Sequence, residues 1–211
     1  MSPAAGLVVA GLCAERGGRP VLEGVAFHVG DGTALAVTGA NGTGKSTLLR
    51  AIAGLVRPQA GAIRFRGAAL PAAALHYLGH RDALKTPLTV AANLNFWLRW
   101  QAPATGRAAR AARLDEALTR TGLGTLADLP AGHLSAGQRR RLALARLIAV
   151  PRPLWLLDEP TASLDAEGCA LAGRLMAAHL AGGGVIVAAT HDPLPGIACA
   201  RLHLESPADD A

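Results

Sequence analysis

Gly39-Ala40-Asn41-Gly42-Thr43-Gly44-Lys45-Ser46-Thr47 is the stretch on which the fold turns. An apolar run, Thr33 to Thr38, precedes it and reads as a buried strand, and Leu48-Leu49-Arg50-Ala51-Ile52 follows it as a helix. A glycine-rich loop between strand and helix is the setting a phosphate-binding loop requires. Gly39, Gly42 and Gly44 let successive N–H groups turn inward on an anion, and the helix starting near Lys45 adds its positive dipole end. Lys45 supplies a compact cation for the outer phosphates, and the Ser46 hydroxyl is placed to hold Mg²⁺. Of the 21 basic residues only two, Lys45 and Lys85, are lysine, so an arginine-using chain keeps a lysine where a flexible point charge is wanted.

The 211 residues suit one large domain, or one domain with a subdomain. Apolar residues make up 51%, yet no uncharged apolar run reaches the roughly 18 residues that span a bilayer. The N-terminus lacks the basic start and apolar core of a signal peptide, so a membrane role is expected to come through a partner. Cys13, Cys169 and Cys199 have no CxxC spacing and are expected to be free thiols. The net charge of +6 would suit nucleic acid, but arginines are dispersed and aromatics are only 3%, so no nucleic-acid partner is expected.

Along the chain, Leu7 to Ala14 and Val21 to Val29 read as strands joined by a turn at Arg16 to Pro20. Strands follow at Ala62 to Arg66 and Leu75 to Leu78, and the pattern turns helical from Thr89 to Thr121. Then come a helix of about fourteen residues from Ser135, a buried strand Leu154 to Leu157, a helix Ala166 to Leu180 and a strand Val185 to Ala189. The acidic tail, Glu205 to Ala211, reads as mobile. The expected fold is α/β: a mainly parallel core over 1–83 and 133–205, antiparallel N-terminal strands, and a helical insert over about 84–132.

Leu154-Trp155-Leu156-Leu157-Asp158-Glu159 is an apolar strand ending in two carboxylates. If that strand lies beside the one feeding the phosphate loop, Asp158 can bind Mg²⁺ through water and Glu159 can polarise an attacking water. Leu134-Ser135-Ala136-Gly137-Gln138 stands at a helix start, a second anion site. One domain needs one phosphate cradle, so the second is expected to serve nucleotide held by another copy.

Ala162-Ser163-Leu164-Asp165 follows directly, and His191 ends the strand Val185 to Ala189 after Thr190. This order of motifs resembles the nucleotide-binding domain of ABC transporters over nearly the whole chain. The resemblance implies an ABC ATPase built on a P-loop NTPase core, using ATP and Mg²⁺ and dimerising through the nucleotide. In that frame Glu159 is the general base, His191 a γ-phosphate contact, and Ser163, Leu164 and Asp165 the D-loop, with Asp165 a contact across the dimer. His80 falls where the Q-loop glutamine usually stands, Arg16 where an aromatic ring stacks on adenine, and Ala136 where glycine is more frequent.

Leu78-Gly79-His80, Leu84-Lys85-Thr86, Leu88-Thr89-Val90 and Asn93-Leu94-Asn95-Phe96-Trp97 look, more narrowly, like the ATP-binding subunit of cytochrome c maturation systems. That likeness implies a separate polytopic permease, other maturation membrane proteins, and a place on the cytoplasmic face of the bacterial inner membrane. It also implies work on haem export or on release of a haem-loaded carrier. Phe96, Trp97 and Trp100 read either as core of the helical insert or, with Arg99, as the lining of a groove for the permease. An ABC ATPase for another cargo, a soluble ABC ATPase acting on nucleic acid or the ribosome, and a P-loop kinase are the alternatives.

Overall fold

The structure is a computed structural model that describes residues 6–205; the expected mobile tail lies outside the described residues except for Glu205. Among the described residues, two sheets and five α-helices carry the chain. Strands β1 (Leu7–Arg16) and β2 (Arg19–Val29) form an antiparallel hairpin, followed by β3 (Ala34–Thr38) and helix α1 (Lys45–Ile52). Then come β4 (Ala60–Phe65), β5 (Ala68–Ala69), β6 (Leu75–Leu78), α2 (Val90–Gln101), α3 (Arg107–Arg120) and α4 (Ala136–Ala149). Strand β7 (Leu154–Asp158), helix α5 (Ala166–Ala181) and strands β8 (Val185–Ala189) and β9 (Ala200–His203) complete it.

The antiparallel sheet has the order β2-β1-β4-β5, and the parallel sheet β6-β7-β8-β3-β9. Strand β7 is therefore not beside β3, against expectation: β8 lies between them, with Ala189 paired to Val37 on one side and to Asp158 on the other. Both β7 and β8 are buried along their whole length, as central parallel strands must be. Their alternate side chains feed two cores. Leu154, Leu156, Val185 and Val187 pack with Leu48 and Leu49 of α1 and with Leu7, Val9 and Leu12 of the antiparallel sheet. Trp155, Leu157, Ile186 and Ala188 pack with Leu144 and Leu147 of α4 and Leu171 and Leu175 of α5. Each such buried leucine contributes about 1.5–3 kcal/mol relative to exposure.

A third apolar cluster joins α2 and α3 to α4 through Val90, Leu94, Leu98, Leu118, Leu123 and Leu142. Thr89 caps α2 by accepting from the Ala92 amide, which explains its start. The long helical pattern breaks around Pro103 and Gly106 into two helices. Buried Asn93 secures the preceding loop, accepting from the Lys85 amide at 2.8 Å and donating to the Lys85, Leu88 and Thr89 carbonyls.

Two details depart from the sequence reading, and one agrees with it. The first hairpin runs out to Arg16 and Arg19, leaving only Gly17–Gly18 as its turn, a two-residue connection that keeps the strand twist. Strand β9, with no strong alternation of its own, forms because β3 offers it a parallel edge, pairing Leu35 to Thr38 with Ala200 to His203. The three cysteines are free, as expected, and half-buried.

Candidate nucleotide site

The loop Gly39 to Gly44 sits where β3 ends and α1 begins, and its glycines are there for space as well as conformation. A Cβ on Gly44, whose φ is +96°, would stand 2.8 Å from Val21 Cγ1 of the N-terminal hairpin. One on Gly39 would stand 2.3 Å from the Leu204 carbonyl oxygen. Lys45 Nζ donates to the Gly39 and Ala40 carbonyls at 2.7 and 2.8 Å, so the ammonium is held over the loop it belongs to. Thr43 Oγ1 donates to the Ala40 carbonyl at 3.0 Å, stiffening the same curl, and Thr47 is buried in the first turn of α1.

Although β8 separates their strands, Ser46 and Asp158 meet. Helix α1 packs over the sheet, and Ser46 Oγ donates to Asp158 Oδ1 at 3.1 Å. Asp158 is buried, and among the described residues its Oδ2 has no hydrogen-bond partner. A buried carboxylate oxygen left open beside a hydroxyl is a set of hard oxygen donors that fits Mg²⁺.

The next residue turns out of the strand. Glu159 has φ +49°, in the left-handed region that non-glycine residues seldom adopt, and its amide donates to the Ala189 carbonyl at 2.9 Å. That conformation aims the carboxylate at the end of β8, where Glu159 Oε1 lies 3.7 Å from His191 Nε2. The same nitrogen is 3.0 Å from Asn41 Oδ1; an amide oxygen only accepts, so Nε2 is the donor in that contact. Asn41, Glu159 and His191 thus converge from three segments at the C-terminal edge of the sheet.

The second group forms a separate cleft. Ser135 Oγ accepts from the Gln138 amide at 3.1 Å while Gln138 Oε1 accepts from the Ser135 amide at 2.9 Å, a reciprocal capping box that starts α4. Ala136 opens the helix with ordinary backbone geometry, so its methyl replaces a glycine hydrogen without strain. Ser135, Gly137 and Gln138 face Ser163 and Asp165 across a cleft of about 270 Å³, with Arg141 beside it. Asp165 caps α5, and its carboxyl is held below the usual range first by the Gly168 amide and then by Arg141 at 3.2 Å. Leu134 is buried in the third cluster and Leu164 packs against the second. No hydrogen bond among the described residues joins this cleft to the phosphate loop.

Two expected residues stand apart. His80 is exposed in the loop after β6 and makes no hydrogen bond to Ser46, Asp158 or Glu159. Arg16 is exposed at the tip of the first hairpin, two residues beyond the Ala14–Leu22 pair, and Leu22 packs at Gly44. The aromatic group is mixed: Phe96 and Trp100 are exposed and line an open groove with Ala92, Asn95 and Arg99. Trp97 turns inward under the Arg146 guanidinium, 4.4 Å from its ring centre, and Lys85 Nζ lies 4.5 Å from the Phe96 ring centre. A larger cavity of about 530 Å³ lies at the opposite, N-terminal end of β7 and β8, where Arg66 and Arg152 already bond backbone carbonyls; it is remote from this chemistry.

Sequence reasoning passed over Arg140. It lies in an Arg139-Arg140-Arg141 run near the start of α4, yet only 3% of its side chain is exposed. The available signal was its position two residues after Gln138, on the side of α4 that must face the strand ends.

These features define a nucleotide-binding domain, and the chain belongs to the ABC transporter family, whose model matches residues 22–162. It is 52% identical to the cytochrome c biogenesis ATP-binding export protein CcmA of Rhodopseudomonas palustris (strain BisB5), over 92% of this chain and 95% of that one. The protein of the same name from Agrobacterium fabrum (strain C58 / ATCC 33970) is 46% identical, over 89% and 90%. Among solved structures, cbiO1 of Clostridium perfringens, part of the ABC transporter complex cbiONQ, superimposes with a TM-score of 0.81 at 27% identity, covering 96% of this chain and 85% of that one. No helix among the described residues is long and apolar enough to cross a membrane.

Proposed function

We propose that this chain is the ATP-hydrolysing subunit of an ABC transporter complex serving c-type cytochrome biogenesis, working on haem or on a haem-loaded carrier. The observation that carries the chemistry is the convergence of Lys45, Ser46, Asp158, Glu159 and His191 at one edge of the sheet. The link to cytochrome c biogenesis is supported by the two similar export proteins, and haem as the cargo is what the resemblance to cytochrome c maturation subunits implies.

In this reading the N–H groups of residues 39–47 and Lys45 take the phosphates of ATP, and Arg16 covers the base. Ser46 and Asp158 would hold Mg²⁺, which neutralises charge on the phosphate oxygens. Glu159 accepts a proton from the attacking water, and its neighbour His191 donates toward the outer phosphate. Asn41 sets which nitrogen of His191 is the donor. The left-handed turn at Glu159 is what separates the base from the metal-binding carboxylate one residue before it.

The second cleft, Leu134 to Gln138 with Ser163, Leu164 and Asp165, serves nucleotide on a second copy, so two chains close around two ATP molecules. In its capping box Ser135 Oγ accepts and so keeps its O–H as a donor, and the first N–H groups of α4 have no intrahelical acceptor. Residues 84–132 act as a helical subdomain. The exposed Phe96, Arg99 and Trp100 groove, beside Lys85, receives a cytoplasmic helix of a polytopic partner at the inner membrane.

The test is an affinity capture with tagged Glu159→Gln and MgATP from detergent-solubilised membranes, read by mass spectrometry and haem absorbance. Polytopic proteins with a haem-bearing carrier are expected. An unrelated permease would overturn the cargo, and a phosphorylated small acceptor in place of free phosphate would overturn the hydrolase reading.

A further inference from the structure

Arg140 is buried in the first half of α4, and its guanidinium has five N–H donors. The structure gives each an acceptor. Nε donates to the Pro160 carbonyl at 3.2 Å. Nη1 donates to the Gly79 carbonyl at 3.1 Å and to Asp82 Oδ1 at 3.0 Å. Nη2 donates to the carbonyls of Asp158 at 2.7 Å and of Glu159. Three consecutive carbonyls, those of Asp158, Glu159 and Pro160, are thereby gathered on one planar fork, together with the loop that carries His80.

The gathered segment is the one with unusual backbone geometry. Glu159 at φ +49° is a non-glycine residue in the left-handed region, a state that persists only where its surroundings over-determine it. On one side its amide is held by the Ala189 carbonyl; on the other, the carbonyls before, at and after the turn are held by Arg140. Among the described residues Asp82 is the one carboxylate paired with that guanidinium, so it keeps the fork oriented.

We propose that Arg140 is a positioning residue for hydrolysis: it holds the Glu159 turn, with Asp82 as its anchor, and thereby ties the Gly79–Asp82 loop to the placement of the hydrolytic carboxylate. This rests on Glu159 being the base in the proposed ATPase. Among the described residues Arg140 makes no hydrogen bond or ion pair to residues 39–47, so its effect falls on turnover and not on nucleotide binding. A shift of the loop on partner docking would reach Glu159 through the same guanidinium.

The test compares Arg140→Lys, Asp82→Asn and the double variant with the wild-type chain, using phosphate release for kcat and a fluorescent ATP analogue for affinity. Lysine cannot span five acceptors on two segments, so Arg140→Lys is expected to lower kcat about 10- to 100-fold with nucleotide affinity kept within about threefold. Asp82→Asn should give a smaller fall of the same kind, and the double variant should be no worse than Arg140→Lys, because both act on one fork. Affinity falling in parallel with kcat, an additive double variant, or an Arg140→Lys kcat within about twofold of wild type would each overturn the proposal. Should Arg140→Lys not fold, the kcat-against-affinity split in Asp82→Asn decides it. Glu159→Gln run alongside separates the two claims: full turnover in that variant overturns the underlying reading, whereas its loss beside an active Arg140→Lys overturns only the role of Arg140.

Discussion

The phosphate loop and the Ser135–Gln138 cleft are both glycine-containing helix starts, and they satisfy their polar groups in different ways. At the loop, Lys45 leans on the carbonyls of Gly39 and Ala40, and Asp158 Oδ2 is buried without a partner among the described residues. At the cleft, Ser135 and Gln138 cap each other, and Arg141 reaches Asp165 at 3.2 Å and Glu167 at 3.7 Å. The first end keeps bonding capacity inside the chain, where a strand end, a helix start and His191 converge. The second is closed on itself. The composite site proposed above would require such a contrast, one half to bind and the other to complete.

Altering each half in turn sharpens the contrast. The largest effect is expected from Glu159→Gln: phosphate release should fall about 10²–10⁴-fold while the chain still binds ATP. Lys45→Ala should instead weaken ATP binding about 10- to 100-fold, the loss of charge-assisted bonds to phosphate, measured by titration with a fluorescent nucleotide. If Lys45→Ala and Glu159→Gln gave the same profile, binding and hydrolysis would not be divided between these residues.

A third variation tests the fold beneath both ends. Burial pushes the His76 imidazole down to about 3, and Nε2 donates to the Val150 carbonyl at 2.6 Å. The folded chain holds it neutral while the unfolded chain protonates it near 6.5. Its stabilising contribution is therefore complete above pH 6.5 and is lost as pH falls toward 3, at up to about 1.4 kcal/mol per pH unit. His179, lowered to about 4 mainly by burial, acts in the same direction. Urea denaturation between pH 7 and 5 should show this slope, and His76→Gln, which can still donate to Val150, should flatten it.

The smallest effect is expected from Ser135→Ala. Loss of the cap should cost about 1 kcal/mol of stability, read as a lower urea midpoint. ATP affinity of the single chain should be unchanged while turnover falls. Equal losses of affinity from Ser135→Ala and Lys45→Ala would place both ends on one nucleotide in one chain and break the comparison.

Much of this was legible in residue order. Gly39 to Thr47 declares a phosphate loop because a tight curl, a lysine and a hydroxyl have few other reasons to stand together, and Leu154 to Glu159 declares a buried strand ending in carboxylates. The element types over 136–189 follow from periodicity, since apolar spacing reports which face of a segment is buried. Strand order was not legible: the insertion of β8 between β3 and β7 is a matter of pairing across more than a hundred residues, which local pattern does not encode. Strand β9 was missed for the same reason, its existence depending on the edge that β3 presents.

The sequence alone thus determined the family, because the motifs that carry it are written in contiguous residues whose chemistry is local. Tertiary structure alone decided that His191 faces Glu159 and Asn41, that Phe96 and Trp100 stay outside while Trp97 turns in, and that Arg140 is buried. The physical reason is the same in each case: burial and hydrogen-bond partnership belong to pairs of distant segments. A buried arginine with five acceptors looks, in one dimension, like any other arginine on a solvated helix.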